Sequence, residues 1–177
     1  SVETAMTFLE NHQSIFETNL NALRPGYPNL VEQLIHHVPS PHYQWIETET
    51  ANPTLELEIH DGVRPILYHS RHDPVREAER QIESLELDSP SVFLFAGLGL
   101  GYSLEALWEN HPRAINALFL VERDLDVFYY FLHRRDWSFL LSNPCARVIL
   151  TDNPEKIIAD AQPLLPHIMG SGIRFVD

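Results

Sequence analysis

The run Val92-Phe-Leu-Phe-Ala-Gly-Leu-Gly-Leu-Gly-Tyr-Ser-Leu104 sets the tightest limit on what this chain can fold into. Its first half is apolar and of strand length, and its second half alternates glycine with leucine before a helix-like pattern takes over. This predicts a buried strand, a tight turn and a helix start. Glycines at 97, 99 and 101 remove side chains where a backbone turns sharply or lies close to a ligand. The following helix would aim free N–H groups at that ligand. The run outlines a nucleotide-type pocket but specifies no reaction.

At 177 residues, 44% of them hydrophobic, the chain is long enough for one domain with a real core plus a small appendage. Twelve Lys and Arg stand against 25 Asp and Glu, a formal net charge of −13, which argues against a nucleic-acid partner because phosphate-backbone affinity rests on clustered cations. The single cysteine, Cys145, excludes a disulfide framework and a Cys-rich zinc site and fits a reducing compartment. No apolar run approaches the roughly 20 residues that cross a bilayer. The first residues carry no basic start followed by an apolar block, so a cytoplasmic location is expected.

Along the chain, Met6, Leu9, Ile15, Phe16, Leu20 and Leu23 recur at helical spacing and predict one amphipathic helix over residues 3–22, broken by Arg24-Pro-Gly-Tyr-Pro28. A second helix runs from Pro28 to His37. From Tyr43 the period becomes two, through Trp45, Thr48 and Thr50 and then Leu55, Leu57 and Ile59. Asp61-Gly62 supplies a turn, and Val63 to His69 returns as a further strand, so 43–69 reads as a small antiparallel meander. Asp73 as N-cap and Pro74 at the first helical position open a charged helix over 75–85.

After the central run, Ala117 to Val121 is an uninterrupted apolar strand ending at Glu122, and Asp124 caps a helix through Arg134. Asp136 opens a short helical turn. Arg147 to Leu150 is a third strand, followed by a helix to about Leu164, and Gly172 to Val176 is a fourth strand. Alternating strands and helices predict right-handed crossovers. The expected fold is α/β: a truncated doubly wound Rossmann-like, methyltransferase-like parallel sheet preceded by helices and a small antiparallel β meander. The expected organisation is a helical segment over 1–42, the meander over 43–72 and the Rossmann-like part over 73–177.

Ligands of such sheets sit beyond the carboxyl ends of the strands, near the point where strand order reverses. Three strand ends are identifiable here: Gly97, Gly99, Gly101 and Tyr102 follow the first, Glu122 ends the second, and Asp152 follows the third. Glu122 lies 122 − 101 = 21 residues past the last glycine, close to the spacing of an acid that binds ribose hydroxyls. Asp152 has two readings, a helix N-cap before Pro154 or a contact to a base edge or an amine. Tyr102 stands where a dinucleotide fingerprint has its third glycine, which argues against NAD or FAD.

A second polar constellation comprises His69, Ser70, Arg71, His72, Asp73, Glu77 and Arg80. It suits either a phosphate or carboxylate bound through Arg71 or a capping and ion-pair network joining meander to sheet, with the structural role ahead. The histidine spacings do not suit a metal, and no residue is identifiable as a nucleophile or general base.

Two families share these patterns. The stretch Leu67-Tyr-His-Ser-Arg-His-Asp-Pro-Val-Arg-Glu-Ala-Glu-Arg80, followed by Gly97-Leu-Gly-Leu-Gly-Tyr102 and Leu120-Val-Glu-Arg-Asp124, resembles the N-terminal region of the Maf proteins, motility-associated factors of flagellated bacteria. The resemblance implies a cytoplasmic multidomain glycosyltransferase in which an adjoining catalytic domain, beyond Asp177, moves a nonulosonic, sialic-acid-like sugar from a CMP-sugar to Ser or Thr of flagellin. The pocket outline without a general base or nucleophile leads to the expectation that the present chain is a non-catalytic binding or docking module for flagellin, for that domain or for a nucleotide.

The order of Gly97, Gly99, Gly101, Glu122 and Asp152 is also similar to that in S-adenosylmethionine-dependent methyltransferases and aminopropyltransferases. That likeness implies S-adenosylmethionine as cofactor, although Phe95 stands where those enzymes usually carry an acid.

Overall fold

The computed structural model describes residues 2–164 and 172–177. Three helices, α1 (Val2–Asn11), α2 (Gln13–Leu23) and α3 (Pro28–Ile35), precede strands β1 (Tyr43–Glu47), β2 (Pro53–Leu57) and β3 (Ile66–Leu67). The α/β part follows as α4 (Pro74–Glu83), β4 (Ser91–Ala96), α5 (Tyr102–Asn110), β5 (Ile115–Glu122), α6 (Leu125–Arg134), α7 (Ser138–Leu141), β6 (Ala146–Leu150), α8 (Pro154–Ala161) and β7 (Gly172–Val176). Among the described residues, no helix is long and apolar enough to cross a membrane.

The single helix expected over residues 3–22 is two helices. His12 leaves helical geometry at φ −112°, ψ 16°, and its Nδ1 bonds the Phe8 carbonyl at 2.8 Å, a side-chain contact that competes with the helical ladder. The break aims Phe8 at Trp45, stacked at 3.3 Å between ring centroids, and Phe16 at His133, stacked at 4.0 Å. One amphipathic face is thereby shared between the meander and α6.

The meander is antiparallel in the order β1-β2-β3, with Trp45 opposite Leu55 and Leu57 opposite Ile66. Its last strand is much shorter than the expected 63–69. Pro65 has no N–H to give a ladder, so pairing begins only at Ile66. Gly62 takes the expected positive φ, +79°.

The main sheet is fully parallel in the order β6-β5-β4-β7, so β4 and β5 lie at its centre. The chain winds outward from β4 through β5 to β6 and then returns to the other side of β4. Alternation divides each strand between two cores. Phe93, Phe95, Leu118, Leu120 and Val148 face a large core shared with the meander and most helices. Val92, Ala117, Phe119, Val121 and Ile149 face a smaller one, where Ile157 and Ala161 of α8 pack. Because all four strands are parallel, the carboxyl ends of β4, β5 and β6 lie at one edge of the sheet, and strand order reverses beside β4.

Inside the large core, Asn19 is fully buried and satisfied at three points. Its Nδ2 donates to the carbonyls of Leu132 at 2.7 Å and Arg135 at 2.8 Å, and its Oδ1 accepts from the Trp137 N–H at 2.7 Å. These bonds hold α2 against the turn that joins α6 to α7.

Candidate functional site

The β4–α5 loop is held by its own protein. Gly97 N–H donates to the Val121 carbonyl at 2.8 Å, and Gly101 N–H closes a turn on Leu98 at 2.9 Å. Leu98 N–H donates to Oε1 of Glu122 at 2.9 Å, while Oε2 of the same carboxylate accepts from the N–H groups of Arg123 and Asp124 at 2.9 and 3.1 Å. Glu122 is 4% exposed. Burial raises its pKa, and the three N–H donors oppose that rise. The acid that spacing assigned to ribose hydroxyls spends its oxygens on the backbone.

His69 grips the next peptide. Leu100 N–H donates to His69 Nε2 at 2.8 Å, so this nitrogen carries the lone pair. The His69 backbone exchanges two bonds with the Thr54 hydroxyl, which fixes the imidazole to β2. Burial, with the Arg134 guanidinium adding to it, pushes the His69 pKa down to about 3. Arg134 holds the loop from the other side, its Nε donating to the Leu100 carbonyl at 2.6 Å and its Nη2 to Glu105 at 3.1 Å. Its guanidinium carbon lies 4.2 Å from the centroid of the Tyr102 ring.

Local packing accounts for two of the glycines. A Cβ on Gly99 would lie 2.5 Å from His69 Nε2, and one on Gly101 would lie 2.5 Å from the Trp137 ring and 2.7 Å from Phe131. Both also take positive φ, +53° and +87°. Tyr102 turns away from the cleft. It is buried, its hydroxyl donates to the Pro53 carbonyl at 2.5 Å, and burial pushes its pKa up to about 12. The residue in place of a third glycine thus ties α5 to the meander.

A cleft of about 800 Å³ opens between the strand ends, α4 and the meander. Gly97, Gly99, Glu122, Asp152, His69 and Glu77 all border it. Asp152 is exposed there and does not cap α8. Asn153 is the cap, its side chain accepting from Glu155 N–H at 3.0 Å, which corrects the N-cap reading of Asp152.

Asp124 also borders the cleft. It accepts from the Tyr43 hydroxyl and, through Oδ1, from the Asp126 N–H at 2.9 Å, so it caps α6 and ties down β1. Burial, helped by the Asp124 carboxylate, raises the Tyr43 pKa.

The rest of the second constellation points elsewhere. Arg71 pairs with Glu56. Ser70 Oγ accepts from His72 and Asp73 N–H at 3.1 and 3.3 Å, and Glu77 accepts from Ser70 N–H at 3.2 Å. Asp73 caps α4 through Arg76 N–H at 3.0 Å. These residues form the junction between meander and sheet, with His69 and Glu77 at its cleft side.

Arg134, Asn19 and Trp137 carry as much of this arrangement as the residues singled out by spacing. Nothing local marks them, because each meets a partner distant in sequence: Arg134 the Leu100 carbonyl, Asn19 the Leu132 and Arg135 carbonyls, and the Trp137 ring Gly101.

The family described as the glycosyltransferase Maf N-terminal domain matches residues 73–162, a little over half of the chain. A protein of Treponema pallidum (strain Nichols), described only as uncharacterized, is 31% identical over 147 residues, covering 77% of this chain and 47% of its own length. The solved structure of the Maf glycosyltransferase from Magnetospirillum magneticum AMB-1 superposes with a TM-score of 0.66 at 19% identity, over 93% of this chain and 32% of that one. The chain therefore spans about half of the curated relative and a third of the solved structure. On the family match across α4 to α8, with the same fold in a solved Maf enzyme, the chain belongs to the Maf glycosyltransferase N-terminal domain family.

Proposed function

We propose that this chain is the binding and docking part of a Maf-type glycosyltransferase and has no turnover of its own. The parent enzyme moves a nonulosonic sugar from its CMP-activated form to Ser or Thr of flagellin, and the catalytic domain follows Asp177. The chain presents its cleft and meander to flagellin or to that domain in the cytoplasm. The observation that carries this reading is the commitment of Glu122, His69 and Arg134 to the glycine loop. The polar side chains best placed for ligand or proton transfer hold backbone instead. The greater length of the related proteins supports a role as one part of a larger enzyme.

The reading is tested by assaying the chain for sugar transfer to flagellin from a CMP-nonulosonate, and for methyl and aminopropyl transfer from the corresponding adenosyl donors. No turnover is expected in any assay, and turnover in one of them refutes the docking role. One observation favours the methyltransferase-like alternative: the cleft lies at the reversal of strand order, and a Cβ built on Gly97 meets nothing within 4 Å. Methyl transfer by the chain is the outcome that alternative requires.

A further inference from the structure

We infer that the cleft at the strand ends selects a ligand carrying an ammonium or guanidinium group on an apolar body in preference to phosphate; this rests on the binding role proposed above. Three features of the cleft converge on that chemistry. First, most of the N–H groups of the glycine loop are spoken for, since those of Gly97, Leu98, Leu100 and Gly101 donate to Val121, Glu122, His69 and Leu98, which leaves Gly99. A phosphate at this loop therefore meets fewer free donors than an open glycine loop would offer.

Second, the charges are of one sign. Glu77, Glu122, Asp124 and Asp152 border the cleft against Arg123, even before Asp177 is counted. His69 adds no positive charge near neutral pH, because burial keeps it unprotonated. A carboxylate surplus beside low-dielectric walls focuses a negative potential into the opening.

Third, the walls are apolar. Leu57, Ile66, Phe95, Leu98, Val121 and Ile157 contribute to them, and Ile66 is 46% exposed. Apolar walls under an acidic rim exclude a fully hydrated inorganic cation and favour an organic one, whose stem is buried while its charged head meets Asp152. A free amine and a basic side chain of a partner protein share this chemistry.

The test is calorimetric titration of the chain with 4-phenylbutylamine, its neutral counterpart 4-phenylbutanol, a capped Leu-Arg-Leu peptide, and CMP. At low ionic strength the amine is expected to bind roughly tenfold tighter than the alcohol, and its advantage to shrink as salt rises. Asp152→Asn is expected to weaken amine binding severalfold and leave the alcohol unchanged. Tighter binding of the free amine or of the peptide supports the inference either way and identifies the source of the cation.

Equal binding of amine and alcohol, preference for CMP, an Asp152→Asn variant without effect, or no binding of either cation overturns it. Turnover by the chain would refute the docking role and leave the charge preference standing. Preference for CMP would do the reverse.

Discussion

Gly97 and Gly99 stand two residues apart in one repeat, yet their surroundings differ. A methyl group on Gly99 meets the His69 ring at 2.5 Å, whereas one on Gly97 meets nothing within 4 Å. Both positions have positive φ, which costs a non-glycine residue about 1–2 kcal/mol. Gly99→Ala must also displace the imidazole that holds Leu100, so it is expected to lose about 2–4 kcal/mol in urea unfolding, against about 1–2 kcal/mol for Gly97→Ala. Equal losses would show that His69 does not pack on the loop. The repeat was legible as a tight turn, but the partner that forbids a side chain at Gly99 was not, because His69 arrives from the segment that follows β3, outside the strand-turn-helix itself.

Two histidines, His133 fully buried and His69 partly, make stability depend on pH at the same scale. His69 titrates near 3, and His133 is pushed down to about 4, in both cases mainly by burial. Their unfolded values lie near 6.5, so below that pH the unfolded chain binds protons that the native protein refuses. Stability is therefore complete above pH 6.5 and falls as the solution is acidified towards 4, by at most roughly 1.4 kcal/mol per pH unit for each histidine. Glu122 acts in the opposite direction just above pH 4.5, because its pKa is raised. His133→Phe keeps a ring to stack on Phe16 and is expected to remove about half of the slope between pH 6 and 5, measured by urea unfolding. An unchanged slope would mean that His133 is not buried as a neutral ring.

Among the elements, α2 and α8 show where sequence patterns stop. The apolar spacing over residues 3–22 continues through His12, which carries no helix-breaking signature, so the division into α1 and α2 could not be read locally. Asp73 before Pro74 was legible as a cap, since the pair combines a side-chain acceptor with a residue suited to the first helical turn. Asp152 and Asn153 were not distinguishable, because two adjacent residues of cap-forming type precede Pro154 and only the backbone path selects Asn153.

Asn19 joins α2 to the end of α6 through bonds to groups 113, 116 and 118 residues away, beyond any local pattern. Asn19→Ala strands two carbonyls and an N–H in the core and is expected to lose about 3–5 kcal/mol. A loss below 1 kcal/mol, measured by chemical unfolding, would contradict that role. Tyr102→Phe removes the bond to Pro53 and is expected to cost about 1–2 kcal/mol by the same measurement, with little effect if the meander is held independently of α5.

At the scale of the whole molecule, the parallel sheet, its crossovers and the preceding meander followed from the alternation of apolar runs with helical periods. The reversal of strand order beside β4 also agrees with that pattern. What spacing could not supply was how the strand ends are used. Glu122 lies where a ribose-binding acid belongs, and its oxygens are turned onto Leu98, Arg123 and Asp124. A motif records which residue types stand near a turn, and the long-range packing of His69 and Arg134 decides whether that turn is open or tied.

Amide hydrogen exchange at Leu98 and Leu100 in the ligand-free chain reads this directly. If Glu122 and His69 hold the loop, both amides exchange slowly without any ligand, and Glu122→Ala releases Leu98 while His69→Ala releases Leu100. Fast exchange at both amides in the unmodified chain, slowed only by an added nucleotide, would show that the loop is kept open for a phosphate and would contradict the tied loop on which the docking role rests.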